Sequence, residues 1–551
     1  MNMQDYKRKN HEVPRLLLGD AYTIGSNEIE SEKAKEESIY YITARRFLDK
    51  INTDLYTKED TRYILSGFGR IIDYLLFKPI TMEEIHETDR FLEYAKVTTK
   101  GLVRFNYPRE LWVEIVEKNN GRIPIEIKAL PDGSVFYPHE PIAECRNLVK
   151  GFGVLSAWFE SKCLMLWAST EMTTQLEHWV MYYKGLLDGI YGDTMSEDDK
   201  DFTARLMVHN FGDRAGMVPQ ESEWMGETAT LTFSGTDTFA GGYCAWKNSR
   251  EQPGVALSIL ALAHRNVESY ETEFDCFHAL YETMKNDELG SFVADCNDFI
   301  KAVITKDAND VVDPKCLLGL ALRSKNEGTN KYVVTRPDSG IAVDQVLWLV
   351  KLAKEYGLYK EEVINGKTWY SATYLRFIEG DGMTWREMRE INAALMAEGF
   401  LPWGWGLYGV GGGLRNDMKR DNGSFKYALC SVGIEKSSRV KFSETPGKST
   451  LGGPFKLLRD ADALKHGRTI VLWNEDGEDV RKVYYNGLDE NFFGEVMFED
   501  NIDIKARIKE QLATMPKRLV RDIPVSETVF NIRIELLKKH APDKLDFFKN
   551  A

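Results

Sequence analysis

The sequence predicts an α/β protein: an irregular (β/α) barrel domain inserted into a mixed α+β domain formed by both chain ends. Three observations lead there. In the middle of the chain, short apolar or β-branched runs end in small, polar or charged residues, and amphipathic segments follow them. The pattern repeats within one block, which points to a parallel sheet wound as a barrel. The flanks on either side lack it. The expected layout is residues 1–205 and 425–551 as the two parts of the α+β domain, the second with a helical tail, and 206–424 as the catalytic barrel.

The expected barrel strands end at LMVHNFGDRAG (206–216), ATLTFSGTDT (229–238), SFVADCND (291–298), YVVTRPDSG (332–340), YLRFIEGDG (374–382) and WGLYGVGGGLRND (405–417). A further run, ALSILALAH (256–264), reads equally as strand or helix. Two helices between strands are well marked. In MTWREMREINAALMAEGF, Thr384 with Glu387 forms a capping box, Met383 and Met388 take staple positions, and Gly399 terminates. AVDQVLWLVKLAKEYG is apolar at 343, 346, 347, 350 and 353 and closes on Gly357. In the N-terminal flank, RIPIEIKALPDGSVFYP reads as a strand pair joined by Pro131-Asp132-Gly133. In the C-terminal flank, RTIVLWNEDG reads as strand and is followed by charged helical sequence.

The 551 residues carry a net charge of −14, which disfavours nucleic acid and anionic membrane as partners. No run of about 18 apolar residues is present, and the N-terminal apolar segment is too short for a signal peptide. The seven cysteines are scattered without a CxxC pair, as expected for a reducing cytoplasm without a disulfide frame or structural zinc site. An acidic chain can still bind a small anion, which needs only a local cluster of cations.

Such clusters lie at the expected strand ends, where barrel chemistry gathers. Four glycines in YGVGGGL expose successive backbone N–H groups able to close on a phosphate, with Arg420 following; the alternative is a flexible glycine loop. In RPDSG, Arg336 can clamp phosphate oxygens and Asp338 can hold ribose hydroxyls or Mg²⁺, or the two form a structural ion pair. EGDG places Asp381 as a ribose or metal acceptor, or is a plain turn. Phe211 offers a stacking face or is core, and Arg214 offers an anion contact. Asp237 is a strand-end carboxylate or a helix N-cap. His264 is a catalytic group or a satisfied core histidine.

Taken in order, LLLGDAY (16–22), HNFGDRAG (209–216), GTDTFAGG (235–242), SILALAH (258–264), VVTRPDSG (333–340), RFIEGDG (376–382) and YGVGGGL…KRD (408–421) resemble the nicotinamide-using group of the type II phosphoribosyltransferase family. The resemblance is dense from about 206 to 430, present at 14–24 and 121–133, and faint elsewhere. It implies transfer of a phosphoribosyl group from phosphoribosyl pyrophosphate to nicotinamide, releasing pyrophosphate. The nearest rivals are transfer to nicotinate and a non-catalytic nucleotide-binding or signalling homologue.

By matched position, Phe211 and Tyr22 of the partner subunit would sandwich the pyridine ring, Asp237 would accept the amide N–H, and Ser258 would be a further substrate-binding residue. Arg214, Arg336 and His264 would face pyrophosphate, and Asp338, Gly380 and Asp381 the ribose. Gly412, Arg420, Lys441 and Lys448 would face phosphate, and Asp295 with Asp338 would hold Mg²⁺. The resemblance further implies a homodimer with shared sites and an ATP-dependent phosphohistidine at His264. The chain departs from the family at Ala263, where a glutamate usually precedes the histidine, and at Asp213, which replaces an aromatic. It also lacks the dense lysine–arginine run after 440.

Overall fold

Turn chemistry and strand propensity separate the chain into two kinds of sheet. The computed structural model of the protein describes residues 13–19, 29–45, 60–98, 107–250, 258–415, 418, 425–443, 448–490, 492, 499–517 and 523–545. It divides into two units, one of Met1–Thr174 with Met418–Ala551 and one of Gln175–Asp417.

The first unit begins with strands β1 (Ser38–Ala44), β2 (Tyr63–Ile64), β3 (Ile125–Ala129), β4 (Val135–Phe136) and β5 (Ala143–Asn147). The second unit holds β6 (Val208–Asn210), β7 (Gly235–Thr236), β8 (Leu260–Ala261), β9 (Leu289–Val293), β10 (Tyr332–Arg336), β11 (Tyr359–Ile364), β12 (Lys367–Ala372), β13 (Leu375–Glu379) and β14 (Gly406–Val410). The chain then returns to the first unit with β15 (Phe425–Val432), β16 (Ser437–Ser438), β17 (Phe455–Leu457), β18 (Ile470–Leu472) and β19 (Lys482–Asn486).

In the first unit the order β16-β15-β1-β5-β3-β19 makes an antiparallel sheet drawn from both chain ends. Its apolar face joins Ile39, Tyr41, Cys430, Leu451, Phe455 and Val529 in one core. The expected hairpin at Pro131-Asp132-Gly133 is not formed. Strand β3 pairs with β5 and β19, whereas β4 pairs with β2. The turn's own side chain explains the divergence. Asp132 accepts the N–H groups of Phe68 and Gly69, each at 3.0 Å, and Gly133 N–H donates to Leu65 O at 2.7 Å. The chain after the turn is thereby tied to the 63–69 segment.

The second unit is built on a curled, wholly parallel sheet in the order β7-β6-β14-β13-β10-β9-β8. It is a half-barrel: β7 and β8 occupy opposite ends of the order and are not paired. Valines and aromatics of β9, β10 and β13, among them Val293, Val333 and Phe377, are almost wholly buried. The helix Ala342–Glu355 buries Val346, Leu349, Val350 and Ala353, so its core face is rotated from the expected one, with Leu347 half-buried. The helix Trp385–Ala397 follows Thr384 as expected, yet the Thr384 hydroxyl donates to the Glu387 carboxylate instead of accepting a backbone N–H.

One expectation fails locally and one open reading is resolved. ATLTF is not a strand run: Thr230 ends the helix Pro219–Thr230, and only Gly235–Thr236 is extended. ALSILALAH yields only a two-residue strand, β8, whose residues are both exposed. The antiparallel hairpin β11–β12 was not anticipated. Its turn residues Asn365 and Gly366 both have positive φ, 49° and 78°, which the Asn-Gly dipeptide accommodates.

Candidate active site

Backbone pairing at the strand ends sets the site. Phe211 N–H donates to Val410 O at 2.9 Å, and Asp237 N–H donates to Asn210 O at 2.9 Å. These bonds place the residues following β6, β7 and β14 side by side. Glycine then makes room for side chains. A Cβ on Gly409 would stand 2.7 Å from Phe211 Cζ, and one on Gly380 would stand 3.3 Å from Phe211 Cε2. Gly235 does the same for His209, whose ring atoms lie 2.5 Å from where a Cβ would be. Behind them, Gly226 and Gly241 let two helices cross closely, with a Cβ on Gly226 only 2.8 Å from Gly241 Cα.

Two cavities open on these residues. The first, of about 600 Å³, is bordered by Phe211, Arg214, Asp237, Ser258 and Arg336 near the strand ends. It reaches Arg376 and Trp403 deeper along the strands. The Ser258 hydroxyl donates to Asp237 Oδ1. The second, of about 1030 Å³, shares Phe211, Arg214 and Arg336 and adds His264, Asp338, Gly380 and Gly412. A ring-shaped acceptor and a charged, phosphate-bearing donor could therefore occupy adjoining spaces bordered by the same three side chains.

At the second cavity, His264 Nε2 lies 3.0 Å from Asp295 Oδ1 and 3.4 Å from Asp338 Oδ2. The three ligating atoms fall within 4.8 Å of one another. Two carboxylates on one side of a small space suit a hard divalent cation that keeps several waters, so the donor set fits Mg²⁺. Arg336 Nε stands 3.4 Å from Asp338 Oδ1 and is buried without a hydrogen-bond partner. Asp338 itself adopts a left-handed φ of 64°. Arg336 Nη2 also donates to Asp338 Oδ2 at 3.5 Å, so the RPDSG pair is a long two-point ion pair across a strained turn.

Asp213 accepts a hydrogen bond from Ser222 Oγ at 2.6 Å, which gives this unusual carboxylate a partner away from Arg214. Asp381 is exposed between Gly380 and Gly382, both of which border the second cavity. Gly411, Gly412 and Gly413 line the same space as a short glycine turn. Lys441 and Lys448 are exposed residues of the first unit. Tyr22 and Arg420 lie outside the described residues.

Sequence reading passed over three polar side chains. Glu379, at the end of β13, is 1% exposed. Its Oε1 accepts the N–H groups of Gly380 (3.1 Å) and Asp381 (3.3 Å), while Oε2 has no partner. Burial pushes its carboxyl up to about 7; the two backbone N–H donors oppose that, and the charges of Asp338 and Asp381 add to it. His209 is held below the ordinary histidine value by burial, against the pull of Asp237. Arg376 stacks over Tyr332, with 5.2 Å between guanidinium and ring centroid, and its Nε has no hydrogen-bond partner. For Glu379 the available signal was a carboxylate directly before a glycine turn; for His209 it was the small residue of GTD across the sheet.

Residues 206–466 match the family described as "Nicotinate phosphoribosyltransferase (NAPRTase) family". A protein of Xanthomonas campestris named nicotinamide phosphoribosyltransferase is 27% identical over 460 residues, covering 82% of this chain and 89% of that protein. One of the same name from Acinetobacter baylyi is 26% identical over 412 residues, covering 71% and 77%. Among solved structures, human nicotinic acid phosphoribosyltransferase superposes with a TM-score of 0.57 at 13% identity, covering 94% of this chain and 100% of that one. That likeness extends the shared fold over nearly the whole chain, and within it residues 206–466 form a domain that matches the nicotinate phosphoribosyltransferase (NAPRTase) family.

Proposed function

We propose that the protein transfers a phosphoribosyl group from phosphoribosyl pyrophosphate to nicotinamide, giving nicotinamide mononucleotide and pyrophosphate. The observation that carries this reading is the Asp237 carboxylate on the same cavity as the Phe211 ring, next to the Arg336–His264–Asp338 cluster. A carboxylate accepts the amide N–H of nicotinamide and repels the carboxylate of nicotinate. Both curated relatives carry names consistent with this acceptor.

Phe211 would supply one face for the pyridine ring, and Tyr22 of the partner subunit the other, which makes the working form a homodimer. The donor's C1–oxygen bond loosens as the ring nitrogen approaches, and positive charge builds on the ribose. Asp338 and Asp381 would hold the ribose hydroxyls and stabilise that charge, while Arg214, Arg336 and His264 take the charge of the departing pyrophosphate. Asp295 and Asp338 would hold Mg²⁺, which supplies charge neutralisation to the diphosphate. Gly412 and its neighbours would cradle the 5′-phosphate through backbone N–H groups. His264, half-buried and facing two carboxylates, would accept a phosphoryl group from ATP, although Ala263 offers no acid beside it. A cytoplasmic location accords with this salvage chemistry.

A second acceptor, nicotinate, draws on Arg376, a cation bordering the same cavity as Asp237. The deciding experiment incubates the purified protein with phosphoribosyl pyrophosphate and Mg²⁺, offering nicotinamide and nicotinate in parallel. Nicotinamide mononucleotide as the dominant product is the expected result. Preferential formation of the nicotinate product overturns the acceptor assignment, and no product from either overturns the enzymatic reading.

A further inference from the structure

The glycine turn after β14 is held by Arg415, a side chain that lines neither cavity. Within the turn, Leu414 N–H donates to Gly411 O at 3.2 Å and Arg415 N–H to Gly412 O at 2.9 Å. Leu414 is buried, and a side chain at Gly413 would collide with Met383 O. The Arg415 guanidinium reaches out of the turn toward the chain that follows β6. Its Nη1 donates to Ala215 O at 2.7 Å, and its Nη2 pairs with the Glu221 carboxylate. The two charged side chains are only 26% and 24% exposed.

The same helix start takes two further ties. Glu221 Oε2 accepts Met217 N–H at 2.6 Å, and Ser222 Oγ donates to Asp213 Oδ1 at 2.6 Å. The first turn of Pro219–Thr230 therefore binds the segment after β6 twice and the segment after β14 once. Both segments border the second cavity: Phe211, Arg214 and Ala215 from one, Gly411, Gly412 and Gly413 from the other. Three glycines in a row lose much conformational freedom on ordering, so a turn built from them needs an anchor. A lone exposed ion pair would be a weak one. Here two guanidinium nitrogens span a carboxylate and a backbone carbonyl, partly shielded from water, which fixes direction as well as distance.

We propose that Arg415 is a positioning residue: through Glu221 and the Ala215 carbonyl it locks the glycine turn to the Phe211–Arg214 segment, so that the turn and Arg214 meet a phosphate-bearing donor as one preformed site. The inference rests on the proposed reading in which Gly412 and Arg214 face that donor. Arg415 touches no substrate. It lowers the ordering that binding must otherwise impose, so its loss falls on donor affinity rather than on the chemical step.

The test has one readout without substrate and one with it. In the ligand-free full chain, hydrogen exchange is compared between the parent, Arg415→Met, Glu221→Ala and the double variant. Amides of 411–415 and 212–217 are expected to exchange at least fivefold faster in each variant, with those of the helix Ala342–Glu355 unchanged. Calorimetry with phosphoribosyl pyrophosphate and Mg²⁺, without acceptor, is expected to show affinity about tenfold weaker in each single variant. The double variant should lose less than the product of the two. In turnover the donor's KM should rise by about the same factor, while kcat changes less than about threefold. Arg415→Lys keeps the charge without the fork and should bind the donor about threefold more weakly than the parent. It also serves if the methionine variant does not fold. Unchanged exchange at 411–415, parental donor affinity in a folded Arg415 variant, or single losses that multiply in full overturns the proposal. A parent that binds no donor overturns the catalytic reading instead, and the exchange result alone then decides the lock.

Discussion

The ring of Phe211 occupies the space that a side chain at position 409 would need, with Cζ 2.7 Å from where a Cβ would stand. Alanine there must push the ring or the β14 backbone aside, and overpacking of this kind costs about 1–3 kcal/mol. Gly409→Ala is therefore expected to lower Tm and raise KM for the aromatic acceptor about tenfold, with a smaller effect on the donor's KM. Gly189→Ala is the control, because a Cβ there meets nothing within 4 Å. Steady-state kinetics with each substrate varied, together with calorimetry, would check this; equal effects on both KM values would detach Phe211 from the acceptor.

On the proposed reading, Asp237 sets the choice of acceptor. Asp237→Asn keeps the size and the hydrogen-bonding capacity toward Ser258 but removes the charge. The preference for nicotinamide over nicotinate is expected to fall at least tenfold, about 1.4 kcal/mol. Competition between the two acceptors, read by product chromatography, measures it, and an unchanged ratio removes Asp237 from that role.

His264 and Asp295 are expected to act together. Incubation with radiolabelled ATP should label the wild type, spare His264→Ala and label Asp295→Asn only weakly, because Asp295 holds the imidazole at 3.0 Å. Turnover in His264→Ala should fall about 10²-fold, the usual scale for losing one preorganised group that stabilises developing charge. Equal labelling of wild type and His264→Ala sinks the phosphohistidine.

Glu379 couples stability to pH. Its carboxyl binds a proton in the folded state up to about pH 7, whereas unfolded it releases that proton near 4.5. Below about 4.5 both states are protonated and no penalty arises. As pH rises from there to about 7, stability falls by about 3 kcal/mol and then levels off. Glu379→Gln should flatten that slope while retaining an acceptor for the Gly380 and Asp381 N–H groups. Denaturant unfolding from pH 4.5 to 8 reads the difference, and parallel curves for the two proteins would refute it.

Much of the second unit was legible because its strands are buried on both faces and end abruptly in polar residues, as in YVVTRPDSG and YLRFIEGDG. Phe211, Arg214, Asp237, Ser258, His264, Arg336, Asp338, Gly380 and Gly412 do border two adjoining cavities. What local sequence could not disclose was pairing over long distance. Strands β3 and β4 flank a strong turn signal, yet Asp132 caps the 68–69 backbone and sends them to different sheets. ATLTF is β-branched and apolar, but packing of the helix Pro219–Thr230 against its neighbour through Gly226 and Gly241 overrides that propensity. Glu379 escaped notice because a glutamate at a strand end looks solvated until burial is known.

The unpaired edges β7 and β8 have one further implication. Ser258 to Asp237 is a side-chain stitch between the chain after one edge and the chain before the other. An incoming amide that takes over the Asp237 oxygen competes with the serine hydroxyl for the same lone pairs. Occupancy of the pocket and tension along the seam of the sheet then become thermodynamically linked, so that loosening the seam by Ser258→Ala should favour the ligand it no longer opposes.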